Sequence, residues 1–279
     1  MVEQRTAVVT GATSGIGRWI ALGLARAGFC TILVVRDAVR GAATQQWIAE
    51  RSPGAATELL PADLSLLSEA RAASGRIAAA HPRLSLLVNN AGLFSERRRV
   101  TAEGRELVFA VNHLAPFVLT RELLGVLREG APARIVNIGS AASDNARIEL
   151  DDLEGARRWS MRHAYGQSKL ALMMATFAWA ERLQGAGITA NVVHPGLVAT
   201  NIGKRPGMIG LLWKLGMPFM LRPERGADTP LHVALAPELE AVSGRYFKRR
   251  QEAEPNKLAR DPALMARLWT ETERLAGTG

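Results

Sequence analysis

The segment that most narrows the fold is Gly11-Ala12-Thr13-Ser14-Gly15-Ile16-Gly17, because of what stands on either side of it. Residues 5–10 ahead of it are short, β-branched and almost continuously apolar, the pattern of a strand buried on both faces. Behind it Trp19, Ile20, Leu22, Leu24 and Ala27 recur with helical spacing, up to a stop at Gly28. In that setting Gly11 permits a tight turn. Gly15 and Gly17 remove side chains where backbone must approach a pyrophosphate and where helix must pack on strand. The amides at the helix start then face the anion. A plain glycine-rich turn is the competing reading, and the flanking elements argue against it.

Further strands are predicted over residues 30–35, 57–61, 84–88, 134–138 and 188–193, with helices between them. One such helix is carried by Leu67, Ala70, Ala73, Ile77 and Ala80, and another is expected from about residue 102 to residue 129. Strands alternating with helices imply parallel pairing. The fold class is α/β: a single-domain Rossmann fold, a doubly wound parallel sheet of about seven strands with helices on both faces. Ligands of such sheets bind outside the carboxyl ends of the strands. There the second strand runs into Arg36-Asp37. An acid at this point accepts from both ribose hydroxyls of NAD, whereas an arginine pairs with the 2′-phosphate of NADP. Arg36 occupies the first position and favours NADP, with Arg18 as a second cation; Asp37 on the ribose is the alternative.

Tyr165 and Lys169 share one face of a strongly helical stretch. An ammonium ~5 Å from a phenol, at an effective dielectric of about 20, favours the phenolate by roughly 3 kcal/mol, or ~2 pKa units. The pair is therefore a candidate general acid/base for an alcohol or carbonyl. Alone, the spacing is common on helix surfaces.

Taken together, Thr10-Gly11, Gly15, Gly17, Asp63, Asn89-Asn90-Ala91-Gly92, Asn112, Ser140, Tyr165, Lys169 and Pro195-Gly196 resemble the short-chain dehydrogenase/reductase family, in its order and over essentially the whole chain. Val111-Asn112-His113-Leu114-Ala115-Pro116-Phe117, Gly226-Ala227-Asp228-Thr229-Pro230-Leu231 and Ser243-Gly244-Arg245-Tyr246-Phe247 resemble its retinol-dehydrogenase-like branch, as does the interval between Ser140 and Tyr165. The resemblance implies that Tyr165 exchanges a proton with the substrate oxygen and that Lys169 lowers its pKa and bonds the nicotinamide ribose. Ser140 would donate to the same oxygen, and Asn112 would hold a water relaying protons from Lys169. It also implies dinucleotide contacts from Gly11, Thr13, Ser14, Gly15, Ile16, Gly17, Arg36, Asp63 (adenine), Leu64, Asn89 (adenosine ribose), Ala91, Gly92, Pro195, Gly196, Val198 and Thr200. Gly139 departs from the family, which more often has a serine there.

Hydrophobic residues make up 48% of the 279 positions, enough for one sizeable core, and no linker or repeat divides the chain. We expect a single domain over residues 1–279. Residues 1–95 mainly bind the dinucleotide, 200–225 form a substrate loop or lid, and 226–279 complete the substrate pocket. A first strand at residue 5 leaves no room for a leader peptide, and no apolar stretch reaches the eighteen or so residues of a membrane span. One cysteine, Cys30, excludes an internal disulfide and suits a reducing, cytoplasmic setting. The net charge of +9 comes without an aromatic stacking platform, so a nucleic-acid partner is not expected. Five histidines lack ligand spacing, and no metal is expected.

Residues 200–225 are rich in Met and Leu, with Trp213 among them, broken by Gly207, Gly210, Gly216 and Pro218. They suit an adaptable pocket for a lipophilic aldehyde, ketone or alcohol. Core packing, a subunit contact, or shallow membrane contact through Trp213 and Lys214 compete with that reading. The expected activity is an NADP(H)-dependent oxidoreductase acting on such substrates, as a homo-oligomer (dimer or tetramer) joined through the helices bearing Asn112 and Tyr165. The alternatives are an NAD-dependent dehydrogenase and a non-catalytic NADP-binding sensor or scaffold.

Overall fold

The computed structural model describes residues 4–198 and 221–277. Its first half alternates β1 (Thr6–Thr10), α1 (Gly15–Arg26), β2 (Cys30–Val35), α2 (Ala38–Arg51), β3 (Thr57–Pro61), α3 (Leu67–Ala80) and β4 (Leu86–Asn89). Then follow α4 (Leu107–Phe109), a π turn (Ala110–Leu114), α5 (Ala115–Glu122), α6 (Leu124–Glu129), β5 (Ala133–Ile138), α7 (Met161–Arg182) and β6 (Ile188–His194). After the break come α8 (Pro223–Gly226), α9 (Asp228–Leu235), β7 (Tyr246–Lys248), β8 (Gln251–Glu252) and α10 (Pro262–Ala276).

The strands form one sheet in the order β3-β2-β1-β4-β5-β6-β7-β8. The first seven are parallel, as expected; the eighth, two residues long, pairs antiparallel with β7. Strand order reverses between β1 and β4, and a crevice forms at such a switch point beyond the carboxyl ends. Alternate side chains enter two cores. Val8, Ile32, Leu87 and Ile135 face α3, α5 and α7, while Val9, Leu33, Val88 and Val136 face α1, α2 and α9. Both faces are thus covered, which is why these strands read as continuous apolar runs.

The single helix expected from about residue 102 to 129 is instead four pieces. Thr101 N–H donates to the Arg105 carbonyl in a turn, so the helix starts only at Glu106, whose carboxylate caps Phe109 N at 2.7 Å. Pro116 has no amide hydrogen to return to residue 112, and the register is π across Ala110–Leu114 before α5 resumes. A break follows at Leu123. Among the described residues no helix is long and apolar enough to cross a membrane.

α10 lies across α5 and α7. Trp269 sits 4.7 Å from Trp179 and 4.9 Å from Phe117, Arg182 stacks on it at 3.7 Å, and Glu273 pairs with Arg121 at 3.2 Å. α10 thus packs on the face formed by α5 and α7. One buried polar bond secures it: His113 Nε2 to Thr272 Oγ1 at 2.8 Å. Thr272 spends its own hydrogen on the Leu268 carbonyl, so His113 must donate. Burial holds that imidazole neutral, with its pKa pushed down to about 3. Thr272→Val leaves the His113 N–H buried and unpaired. It should lower stability in urea by roughly 1–3 kcal/mol; an unchanged unfolding midpoint would contradict this pairing.

Candidate active site

The glycine turn is shaped by the end of β4. Thr10 Oγ1 accepts the amides of Asn90 (3.0 Å) and Ala91 (2.9 Å), and Asn90 Nδ2 donates to the carbonyls of Thr10 (2.8 Å) and Gly11 (3.2 Å). Gly11 turns with φ +68°, beyond easy reach of an L side chain. A Cβ at Gly17 would stand 2.3 Å from Asn90 Nδ2 and 2.5 Å from the Gly11 carbonyl oxygen. Asn90 thus ties the two carboxyl-end loops together, a role its sequence position did not disclose. Ser14 is the N-cap of α1 but makes no side-chain cap, and the first turn carries no acid. Its amides are left for an anion, and the glycine turn offers the close backbone approach that a pyrophosphate requires. These residues fit a dinucleotide.

At the adenosine side Arg36 is exposed just past β2. Asp37 is the N-cap of α2, accepting Arg40 N at 3.1 Å. Arg18 stacks on Trp47 at 4.0 Å, which fixes its guanidinium between α1 and α2. Asp63 Oδ1 accepts Ser65 N at 3.0 Å at the end of β3, and Leu64 is buried beside it. Asn89 is buried, and its side chain donates to Asn137 Oδ1 at 2.8 Å inside the sheet.

Tyr165 and Lys169 lie in the first half of α7, beside Ser140 at the end of β5. Lys169 is 4% exposed, and its Nζ donates to the Ile138 carbonyl at 2.8 Å, 6.0 Å from the Tyr165 ring centre. Burial pushes its pKa down to about 8. Lys169 is not among the groups that shift the Tyr165 phenol in this structure. Burial is the dominant influence and raises the Tyr165 pKa, opposed by a hydrogen bond from Ser140. A phenol so placed keeps its proton at neutral pH. Phe94, unremarkable in sequence, packs edge-on to the Tyr165 ring at 6.2 Å.

Asn112 sits in the π turn, fully buried. Its amide clamps Leu93, accepting from the backbone N–H at 2.8 Å and donating to the carbonyl at 2.8 Å, and donates to Ser168 Oγ at 3.0 Å. The Asn112 side chain is thereby engaged, which leaves its backbone carbonyl for the water expected there. A Cβ on Gly92 would lie 3.3 Å from both Asn112 Oδ1 and Lys169 Nζ, so Gly92, Asn112 and Lys169 converge on the floor of the crevice. Pro195 and Gly196 follow β6 at the same end, and Val198 is buried against Gly226. Thr200 and residues 207–220 of the apolar block lie outside the described residues.

The arrangement brings a buried cation, a buried phenol and a hydroxyl to the carboxyl end of the sheet, next to an anion-binding turn. Its likenesses are specific. The short chain dehydrogenase family model matches residues 5–207. Retinol dehydrogenase 12 of Mus musculus is 39% identical over 276 residues, covering 99% of this chain and 87% of that protein. Polyprenol dehydrogenase of Mus musculus is 40% identical over 283 residues, covering 99% and 84%. Among solved structures, a protein from Mycobacterium Paratuberculosis superposes with a TM-score of 0.78 at 32% identity, covering 99% and 94%. The Pseudomonas aeruginosa RhlG/NADP active-site complex does so at 0.71 and 29% identity, covering 88% and 94%. This chain belongs to the short-chain dehydrogenase family, in its retinol-dehydrogenase-like branch, and is by that membership a nicotinamide-dependent oxidoreductase of Rossmann fold.

Proposed function

We propose that this chain transfers a hydride between NADP(H) and a lipophilic alcohol or carbonyl, with Tyr165 as the general acid/base. The observation that carries the choice of cofactor is the capping of α2. Asp37 Oδ1 caps α2 by accepting Arg40 N, which turns that acid toward the helix, and the exposed Arg36 guanidinium stands just past β2. Three solved relatives of at least 27% identity carry NADP in their descriptions, which agrees with this reading. The nicotinamide supplies the hydride; the protein supplies orientation and a proton.

In carbonyl reduction the Tyr165 phenol donates to the oxygen as charge develops there, and Ser140 donates a second hydrogen bond to it. Burial raises the phenol pKa, so Tyr165 is protonated at neutral pH, and the hydrogen bond from Ser140 opposes that rise. Lys169, held by Ile138, directs a positive charge at the ribose side of the crevice. Any water met by Asn112 meets its backbone carbonyl, whose α-register partner would be Pro116. The substrate class follows from relatives named for retinol and polyprenol, both long isoprenoid alcohols, and from the apolar character of residues 200–225.

Comparing kcat/KM for NADPH and NADH tests the reading. A charge-assisted contact to the 2′-phosphate, at roughly 1.5–3 kcal/mol, predicts a preference for NADPH of about ten- to a hundredfold. Arg36→Ala should erase most of that preference while leaving turnover with NADH unchanged. A wild-type preference for NADH would overturn the assignment.

A further inference from the structure

Ser140 follows β5 by two residues and opens the 3-10 turn Ala141–Ser143, which its hydroxyl caps by accepting Ala142 N at 3.2 Å. One turn of this kind is too short to hold a hydroxyl steady by itself. The C-terminal third of the chain grips it from outside. Tyr246 donates its hydroxyl to Asp144 Oδ1 at 3.1 Å, and Lys248 donates Nζ to Oδ2 at 2.7 Å. Tyr246 and Lys248 are two apart on β7 and so share a face, which lets both oxygens of one carboxylate be met at once. Asn256 Nδ2 donates to the carbonyls of Ser143 (2.8 Å) and Ala146 (2.9 Å). His194, at the end of β6, accepts Ala141 N on Nδ1 at 3.3 Å.

Asp144 is the hub of this grip. Its side chain and that of Lys248 are each 30% exposed, and an isolated pair so wetted contributes little to stability. The Tyr246 ring, by contrast, is completely buried, so its hydroxyl is delivered to Asp144 from a rigid base. All of these bonds converge on the turn that starts at Ser140, whose own hydrogen bond draws the Tyr165 pKa down.

We propose that Asp144 is a positioning residue for the hydride-transfer reaction: by tying the Ser140 turn to Tyr246 and Lys248 of β7, it fixes the Ser140 hydroxyl on the oxygen it shares with Tyr165. The inference rests on the acid/base reading above. It assigns to the C-terminal segment a part in catalysis, in addition to any part in lining the pocket.

A double-mutant cycle on the full chain tests it, using Asp144→Ala, Ser140→Ala and the pair together, assayed for retinol oxidation with NADP. Asp144→Ala should lower kcat about tenfold, a part of what a full ångström of misplacement costs. KM for NADP should stay within about twofold, since the dinucleotide turn is elsewhere. The pH midpoint of oxidation should move upward, in the same direction as in Ser140→Ala, because the phenolate loses its donor. Asp144→Asn, which keeps an acceptor, should recover part of the loss. In the Ser140→Ala background the Asp144 change should cost less than about twofold. Wild-type kcat in Asp144→Ala, or the same tenfold loss with and without Ser140, would overturn the positioning role. Full activity in Ser140→Ala alone would instead bring down the serine assignment, and the positioning role with it. Should Asp144→Ala fail to fold, Tyr246→Phe removes one donor and keeps the ring; it should show a smaller loss of kcat with the same non-additivity, and no loss counts against the proposal.

Discussion

Tyr165→Phe is expected to lower kcat/KM for every accepted carbonyl by roughly 10²–10⁴-fold, the usual worth of a positioned acid/base. The substitution deletes one oxygen. The ring remains, with its edge-on contact to Phe94 at 6.2 Å, and the neighbouring Lys169 keeps its bond to the Ile138 carbonyl at 2.8 Å. Binding of NADPH, followed by fluorescence titration, should therefore survive, and the melting temperature should hardly move. Loss of turnover with retained binding separates a missing proton donor from a damaged fold. Turnover equal to wild type across a carbonyl panel would remove Tyr165 from the chemistry.

Gly17→Ala is expected to have the second large effect, on folding and on the dinucleotide together. Its Cβ would lie 2.5 Å from the Gly11 carbonyl oxygen, a backbone atom that cannot swing aside. The other neighbour, Asn90 Nδ2 at 2.3 Å, can retreat only by giving up its bonds to the Thr10 and Gly11 carbonyls. Overpacking of this kind costs roughly 1–3 kcal/mol and occasionally more. The shift opens the turn that would cradle the pyrophosphate, so NADPH affinity should fall at least about tenfold. Gly75→Ala provides the contrast. Gly75 is exposed in α3, has no positive φ and has nothing within 4 Å of a new Cβ, so alanine should stabilise by about 0.5–1 kcal/mol through helix propensity. Urea unfolding of the two variants should give opposite signs; equal signs would contradict the crowding argument.

Much of the scaffold was readable from local pattern. β2 and β3 have the bounds predicted from their apolar runs, and α3 starts and ends where its periodic residues do. The helix from about residue 102 was misread because apolar spacing continues through a region where Glu106 caps late and Pro116 withholds a hydrogen bond. β8 is two residues long and polar, too short for alternation to register. At the site, residue types and order were legible, but electrostatics were not. Four-residue spacing places Lys169 on the face of Tyr165, yet the lysine reaches instead for a carbonyl on β5.

What the sequence determined by itself is the succession of strands, turns and helices, and the arrival of Gly11, Ser140, Tyr165 and Lys169 at one end of a parallel sheet. Those follow from short-range rules: periodicity, turn chemistry and right-handed crossover. Only the tertiary structure decided that Asn90 braces the glycine turn from 79 positions away, that Asp37 caps a helix, and that burial raises the Tyr165 pKa. The reason is physical. Desolvation and hydrogen-bond partnership depend on which atoms lie within a few ångströms, and distant segments become neighbours only when the sheet assembles.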